Sequence, residues 1–142
     1  MITYVWTPML ALVADDINMK VLKIGIASYE QMKARTMAIA RGELKPKPGD
    51  PKVWFPSTES LVRVLSDKNR ALLATIRDNQ PHSLTDLAER TGRKKSNLSR
   101  TLKTMERYGI VTIERNDQGR VVPRVPYGVV TVDLPLGASA SR

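Results

Sequence analysis

The segment from Gly92 to Gly109, GRKKSNLSRTLKTMERYG, most constrains how this chain can fold. Its apolar residues Leu98, Leu102 and Met105 are spaced by four and then three, which predicts a helix with one buried stripe. After Gly109 the apolar period changes to two, which predicts β-strands. The segment also carries six basic residues and one acidic residue: Arg93, Lys94, Lys95, Arg100, Lys103, Arg107 and Glu106.

The flanking segments predict further helices and a hairpin. A helix is expected from Ser57 or Thr58, a second from Asp67 to near Asn79, and a short one capped by Ser83 or Thr85. Gly92 is expected to end the short helix in a left-handed conformation, so that the next helix, capped by Ser96, crosses it steeply. Beyond Gly109, IVTIER and RVVPRV flank the polar turn NDQG, which predicts a β-hairpin, and VVTVDL predicts a third strand.

The region before these helices has its own pattern. VLKIGIAS predicts a short strand with Leu22, Ile24 and Ile26 on one side. Ser28 and Gln31 form a capping-box sequence for a helix that would end near Gly42 and bury Met32, Met37 and Ile39 or Ala40. The next stretch, GELKPKPGDPK, has the composition of a linker, and a domain boundary is predicted there.

Five parts of the chain are predicted on this basis. They are an extension (1–18), a strand-helix arm for dimerisation or partner binding (19–45), a linker (46–56), a domain of helices and a hairpin (57–134) and a disordered tail (135–142). For the extension, net charge −2, two interpretations stay open: a natural start at Met19 with a loosely attached segment before it, or a helix that packs through Leu10, Leu12 and Val13.

Composition limits the chemistry. The chain has no cysteine and one histidine, His82, which excludes disulfides, thiolate metal sites and thiol catalysis. The absence of disulfides is typical of the cytoplasm, and no apolar run reaches the roughly 20 residues of a membrane span. A net charge of +9 favours a polyanionic partner. No nucleophile-base pair, metal-ligand spacing or phosphate-binding glycine loop is present, so neither an enzyme nor a cofactor or metal site is expected.

The order of helix, short helix, tight turn, basic helix and hairpin predicts an α+β fold, in which a winged helix-turn-helix DNA-binding domain (57–134) is preceded by the strand-helix arm. Ser96, Asn97 and Arg100 are expected to read bases in the major groove of double-stranded DNA, because they lie at the start of the basic helix. The full candidate set is Arg93, Lys94, Lys95, Ser96, Asn97, Ser99, Arg100, Lys103, Thr104, Arg115, Asn116, Gln118 and Arg120, the last four in the hairpin wing.

The stretch LTDLAERTGRKKSNLSRTLKTMERYGIVTIERNDQGRV resembles the winged helix-turn-helix core of MarR- and ArsR-type bacterial regulators. Over Lys20 to Leu134 the chain is also similar to predicted prokaryotic regulators often encoded beside toxin genes. The resemblance implies a repressor or an antitoxin-like role. No cysteine or histidine cluster matches the metal-sensing members of these families.

Two functional hypotheses follow. The first is a homodimeric, sequence-specific transcriptional regulator, expected to be a repressor, that reads the major groove with helix 96–108 and the backbone or minor groove with the wing, 110–125. The second is an antitoxin-like interaction protein that neutralises a partner, such as a toxin encoded nearby, through the N-terminal arm and binds DNA for autoregulation.

Overall fold

The computed structural model describes residues 20–137, which form five helices and five strands. In chain order they are β1 (Lys20–Ile26), α1 (Tyr29–Ala40), β2 (Val53–Phe55), α2 (Thr58–Val64), α3 (Asp67–Asn79), α4 (Leu84–Thr91), α5 (Lys95–Arg107), β3 (Thr112–Arg115), β4 (Val121–Arg124) and β5 (Tyr127–Asp133). The predicted extension, 1–18, and the last five residues of the predicted tail lie outside the described residues. None of the described helices is both long and apolar enough to cross a membrane.

A three-stranded parallel sheet joins the two ends of the described chain. β1 lies in its centre, with β2 on one side and β5 on the other, and Ile24 is in register with Val53 of β2 and Val132 of β5. Leu22 and Ile24 are fully buried on one face, as the alternation in the sequence predicts. The strand predicted at 129–134 is therefore part of the same sheet as the strand predicted at the N-terminal end.

The core is continuous across the predicted linker. Leu22 and Ile24 belong to the same buried cluster as Leu98, Leu102 and Met105 of α5. The linker prediction, 46–56, is corrected in its last residues, because Val53–Phe55 forms β2 and pairs with β1. Its prolines and glycines do mark a loop, but this loop connects α1 to β2 within one core. Phe55 of β2 is fully buried and stacks on Tyr108, with ring centroids 4.1 Å apart.

Helix α1 differs from its predicted packing. Ser28 and Gln31 form the expected capping box, but no residue of α1 is buried, and Met37 is 44% exposed. A charged residue of α1, Arg35, contacts the loop before β2 and β2 itself. Arg35 pairs with Asp50 at 2.9 Å and lies 5.5 Å from the centroid of the Trp54 ring. α1 therefore contributes little apolar surface to the core.

Helices α3, α4 and α5 are followed directly by an antiparallel hairpin of β3 and β4. Ser83, not Thr85, caps α4, and Gly92 ends it with a φ of 71° in the left-handed region, as predicted. Gly119 closes the hairpin turn with a φ of 75°. Leu98, Leu102 and Met105 are all buried, which confirms the stripe predicted for α5. The candidate site lies on α5 and on the hairpin that follows it.

Candidate nucleic-acid interface

The exposed face of α5 is a ridge of polar and basic residues. Ser96, Arg100, Lys103 and Arg107 recur at intervals of four, three and four, and all are exposed. At 3.6 residues per turn these positions share the side of the helix opposite the buried stripe. We call this row the α5 ridge. Arg107 was not among the predicted site residues, although its spacing from Lys103 was a signal that could have included it.

The N-terminus of α5 has no side-chain cap. The helix begins at Lys95 with Lys94 as its N-cap, so the predicted cap, Ser96, lies inside the first turn. The other four described helices are capped by serines: Ser28, Ser57, Ser66 and Ser83. The first turn of α5 also contains no acidic residue. Residues 94–97 are all exposed, so the first amide groups of α5, which no side chain caps, can bind an anion outside the protein.

Arg93 is half-buried, and its side chain links α3 to α5 by hydrogen bonds. Its Nη1 donates to Asn69 Oδ1 at 3.1 Å, and its Nη2 donates to Asn97 Oδ1 at 2.6 Å and Thr101 Oγ1 at 3.2 Å. Its Nε donates to the same Asn97 oxygen at 3.1 Å. Asn69 is itself held through a bond from its Nδ2 to the Val64 carbonyl. Arg93 and Asn97, both predicted DNA contacts, are thus engaged with each other.

Two further predicted residues of α5 are half-buried, Ser99 and Thr104. Thr104 Oγ1 donates to the Arg100 carbonyl at 3.2 Å. These short side chains lie beside the α5 ridge and leave its long side chains as the outermost groups.

In the hairpin, Asn116 shapes the turn. Its Oδ1 accepts from the amides of Gln118 and Arg120, both at 3.0 Å, and its Nδ2 donates to the His82 carbonyl at 3.1 Å. The side chain of Asn116 is therefore used within the protein, whereas Gln118 and Arg120 are exposed. Arg115 crosses the turn to donate to the Gly119 carbonyl at 2.9 Å.

The hairpin is anchored at two places to the connection between α3 and α4. One is the bond from Asn116 to His82, and the other runs from Arg124 Nη1 to the Pro81 carbonyl at 3.1 Å. Sequence reasoning did not identify Arg124 or Asn69, because such contacts join residues far apart in the chain. An open groove of about 630 Å³ separates α4 and the start of α5 from the hairpin, with Lys95 and Arg120 among its lining residues.

Within residues 20–137, the basic residues of the candidate site form no ion pair. The five ion pairs among residues 20–137 involve other cations: Lys23, Arg35, Arg41, Arg70 and Arg90. Nearby on α4, Asp86 accepts from the His82 backbone amide and from Arg90, which together hold the pKa of its carboxyl below the usual value. In the described part of the chain, no three His, Asp or Glu side chains are grouped to hold a metal ion.

Comparison with known proteins gives two similarities. The family model HVO_A0114 matches residues 64–132, just under half of the chain, from the end of α2 through most of β5. A solved structure described as the crystal structure of the predicted DNA-binding transcriptional regulator from E. coli is 16% identical, with a TM-score of 0.40. The similarity covers 80% of this chain and 90% of that one. No curated protein sequence matches the chain.

Proposed function

We propose that this protein is a sequence-specific regulator that binds double-stranded DNA through a winged helix-turn-helix. In this proposal α4 and α5 form the helix-turn-helix, α5 enters the major groove and the β3–β4 hairpin is the wing. The observation that carries the proposal is the α5 ridge: exposed cations without ion-pair partners among residues 20–137, on a helix whose opposite face is buried.

The geometry fits the chemistry of a DNA surface. The major groove, about 12 Å wide, admits one α-helix, whose first turns usually reach the bases. Ser96 and Arg100 lie in these turns, and Arg100 can donate two bonds to guanine. Lys94, Lys95 and the uncapped amides suit phosphate oxygens, as do Lys103 and Arg107 further along. Gln118 and Arg120 at the tip of the hairpin suit the backbone or the minor groove.

A mobility-shift assay with DNA from upstream of the protein's own gene tests this proposal. The double variant Arg100→Ala with Lys103→Ala should abolish the shift, because it removes two cations from the centre of the ridge. The matched control is Lys33→Ala with Arg41→Ala, which removes the same charge from exposed positions in and just after α1. Unchanged binding by the ridge variant would refute the assignment of α5.

We also propose that the protein acts as a homodimer that forms through β5. Among residues 20–137 no strand pairs with the outer edge of β5, and Val130 and Val132, on one side of the strand, are exposed, as is Leu134 just after it. Natural sheets protect such edges with prolines, charges or short strands. The opposite edge, β2, has three residues between Pro51 and Pro56, whereas β5 has seven residues and one charge, Asp133.

A second copy of the chain suits this edge. A two-fold axis would make the two β5 strands antiparallel, and it would place the apolar side chains of one copy against the same apolar side chains of the other. A groove of about 340 Å³ lies beside this edge, between α3 and β5. Most of its lining is apolar, with Leu73, Val125 and Val129 among the residues, and Arg70, Arg77 and Asp78 of α3 line it as well. In such a dimer each copy would contact one of two half-sites in the DNA, which doubles the number of base contacts.

The oligomeric state in solution, measured by light scattering, tests the dimer. Val132→Lys places a charge on the β5 edge and should give a monomer. Val62→Lys is the control, since Val62 is 62% exposed on α2 and lies away from this edge. A monomeric wild-type protein would overturn the proposal, whereas its DNA contacts would remain testable separately.

The finer assignments, a repressor related to the MarR and ArsR types, rest on the sequence resemblance. An antitoxin-like function is a second candidate, favoured by the exposed surface of α1, where Tyr29 is 78% exposed and no residue is buried. Its test is co-purification with the product of the neighbouring gene. Because β1 is the central strand of the sheet, the suitable variant is Tyr29→Ala with Met37→Ala rather than a truncation at the loop. Partner capture unaffected by this variant would count against α1 as the binding surface.

A further inference from the structure

We propose that Arg93 determines which bases Asn97 can recognise, by occupying the acceptor of its carboxamide and leaving only the donor for DNA. The inference rests on the proposed DNA-binding function and concerns the base preference at one position of the DNA site. Asn97 is exposed in the first turn of α5, within the part of the helix expected to reach the bases.

The orientation of the Asn97 amide follows from the chemistry of arginine. A guanidinium group has five N–H donors and no acceptor, so an amide that contacts it must present its oxygen. Arg93 donates to Asn97 Oδ1 twice, from Nε at 3.1 Å and from Nη2 at 2.6 Å. A carbonyl oxygen has two lone pairs, and both are used by this fork.

Arg93 is itself fixed by a second helix. Its Nη1 donates to Asn69 of α3, and Asn69 is held by its bond to the Val64 carbonyl. Its Nη2 also donates to Thr101, one turn further along α5. The guanidinium is thus held from α3 and from α5 at once, and it cannot leave Asn97 without losing these other bonds. Arg93 is a positioning residue in this arrangement.

The consequence is a change in the bases that suit Asn97. A free asparagine recognises adenine by accepting from N6 and donating to N7. With Oδ1 occupied, Asn97 has only its Nδ2 donors, which suit an edge that accepts. Guanine accepts at both O6 and N7, thymine accepts at O4, and cytosine presents the N4 donor instead. Adenine, like thymine, presents one acceptor, its N7, beside the N6 donor. Asn97 should therefore favour guanine, tolerate thymine and adenine less well, and disfavour cytosine.

Selection from a pool of randomised double-stranded DNA tests the inference, with the full chain as wild type, Arg93→Met and Asn97→Ala. Wild type should enrich guanine at one position that loses its preference in Asn97→Ala, by about three- to tenfold, the effect of one hydrogen bond. Arg93→Met keeps the length of the side chain but has no donor. It should shift that same position towards adenine, because the freed oxygen can accept from N6.

A purely structural role for Arg93 would lower thermal stability without changing the preferred base. Lys103→Ala is the control, because it removes one cation from α5 and should weaken binding equally for all bases at this position. Adenine enriched by the wild type at the Asn97-dependent position, or a selection unaffected by Asn97→Ala, would overturn the inference and leave DNA binding intact. Failure of the wild type to enrich any sequence would overturn the proposed function and the inference with it.

Discussion

At the scale of single residues, Gly25 shows how closely the outer face of the sheet is packed. A Cβ atom at this position would lie 2.5 and 2.6 Å from two carbons of the Trp54 ring. We expect Gly25→Ala to lower the free energy of unfolding by about 1–3 kcal/mol, the usual cost of an inserted methyl group that has no room. Urea denaturation measures this. Gly49→Ala is the matched control, since no atom lies within 4 Å there, and a similar loss in both variants would contradict the packing argument.

A second prediction at this scale concerns Asp86, whose pKa is lowered first by the His82 backbone amide and also by Arg90. A carboxyl with a lowered pKa stabilises the folded state while it is ionised, and this contribution is lost as the pH falls through the folded pKa. We therefore expect Asp86→Asn to be less stable than wild type at pH 7. The difference should shrink as the pH falls below about 4, the ordinary carboxyl pKa, and on through the lower folded pKa, where the wild-type carboxyl also becomes neutral. Unfolding curves from pH 7 to pH 2 measure this, and a constant difference would refute the prediction.

Among the structural elements, the turn between α4 and α5 depends on the conformation of one residue. Gly92 has a φ of 71°, a region in which an L-residue other than glycine, asparagine or aspartate is strained. We expect Gly92→Ala to cost about 1–2 kcal/mol of unfolding free energy and to weaken DNA binding, because it changes the crossing of the two helices. Gly92→Asn should cost less, since asparagine tolerates this conformation. Equal costs for the two variants would show that backbone strain is not the cause.

The elements that could be predicted from the sequence are those encoded locally. The buried stripe of α5, the left-handed Gly92 and the hairpin around Gly119 each follow from a periodicity or from turn chemistry within a few residues. β2 could not be predicted, because three residues beside prolines carry no period, and it becomes a strand only by pairing with β1. The contacts of Arg93 with Asn69 and of Asn116 with His82 were also missed. Such contacts depend on side-chain placement between helices that the sequence does not encode locally.

At the scale of the whole molecule, the central strand β1 links the proposed DNA-binding part to the region before it. Leu22 and Ile24 lie in one cluster with the buried face of α5, and β5 completes the same sheet. A strand-helix arm that folds separately from the helices and hairpin of 57–134 is not compatible with this core. The orientation of α5 therefore depends on β1, so a variant that disturbs the sheet should affect DNA binding as well as stability.

The charge of the whole molecule gives the last prediction. With a net charge of +9, the chain should bind DNA with an affinity that falls steeply with salt, because each neutralised phosphate releases counterions. If Lys94 contacts one phosphate beside the uncapped end of α5, Lys94→Ala should lower the slope of log K against log salt by about 1 and weaken binding to all sequences alike. Fluorescence anisotropy at several salt concentrations measures this slope. Lys33→Ala removes the same charge from the exposed surface of α1 and should leave the slope unchanged. An equal change in both variants would mean that DNA responds to the total charge of the protein rather than to a defined contact at α5.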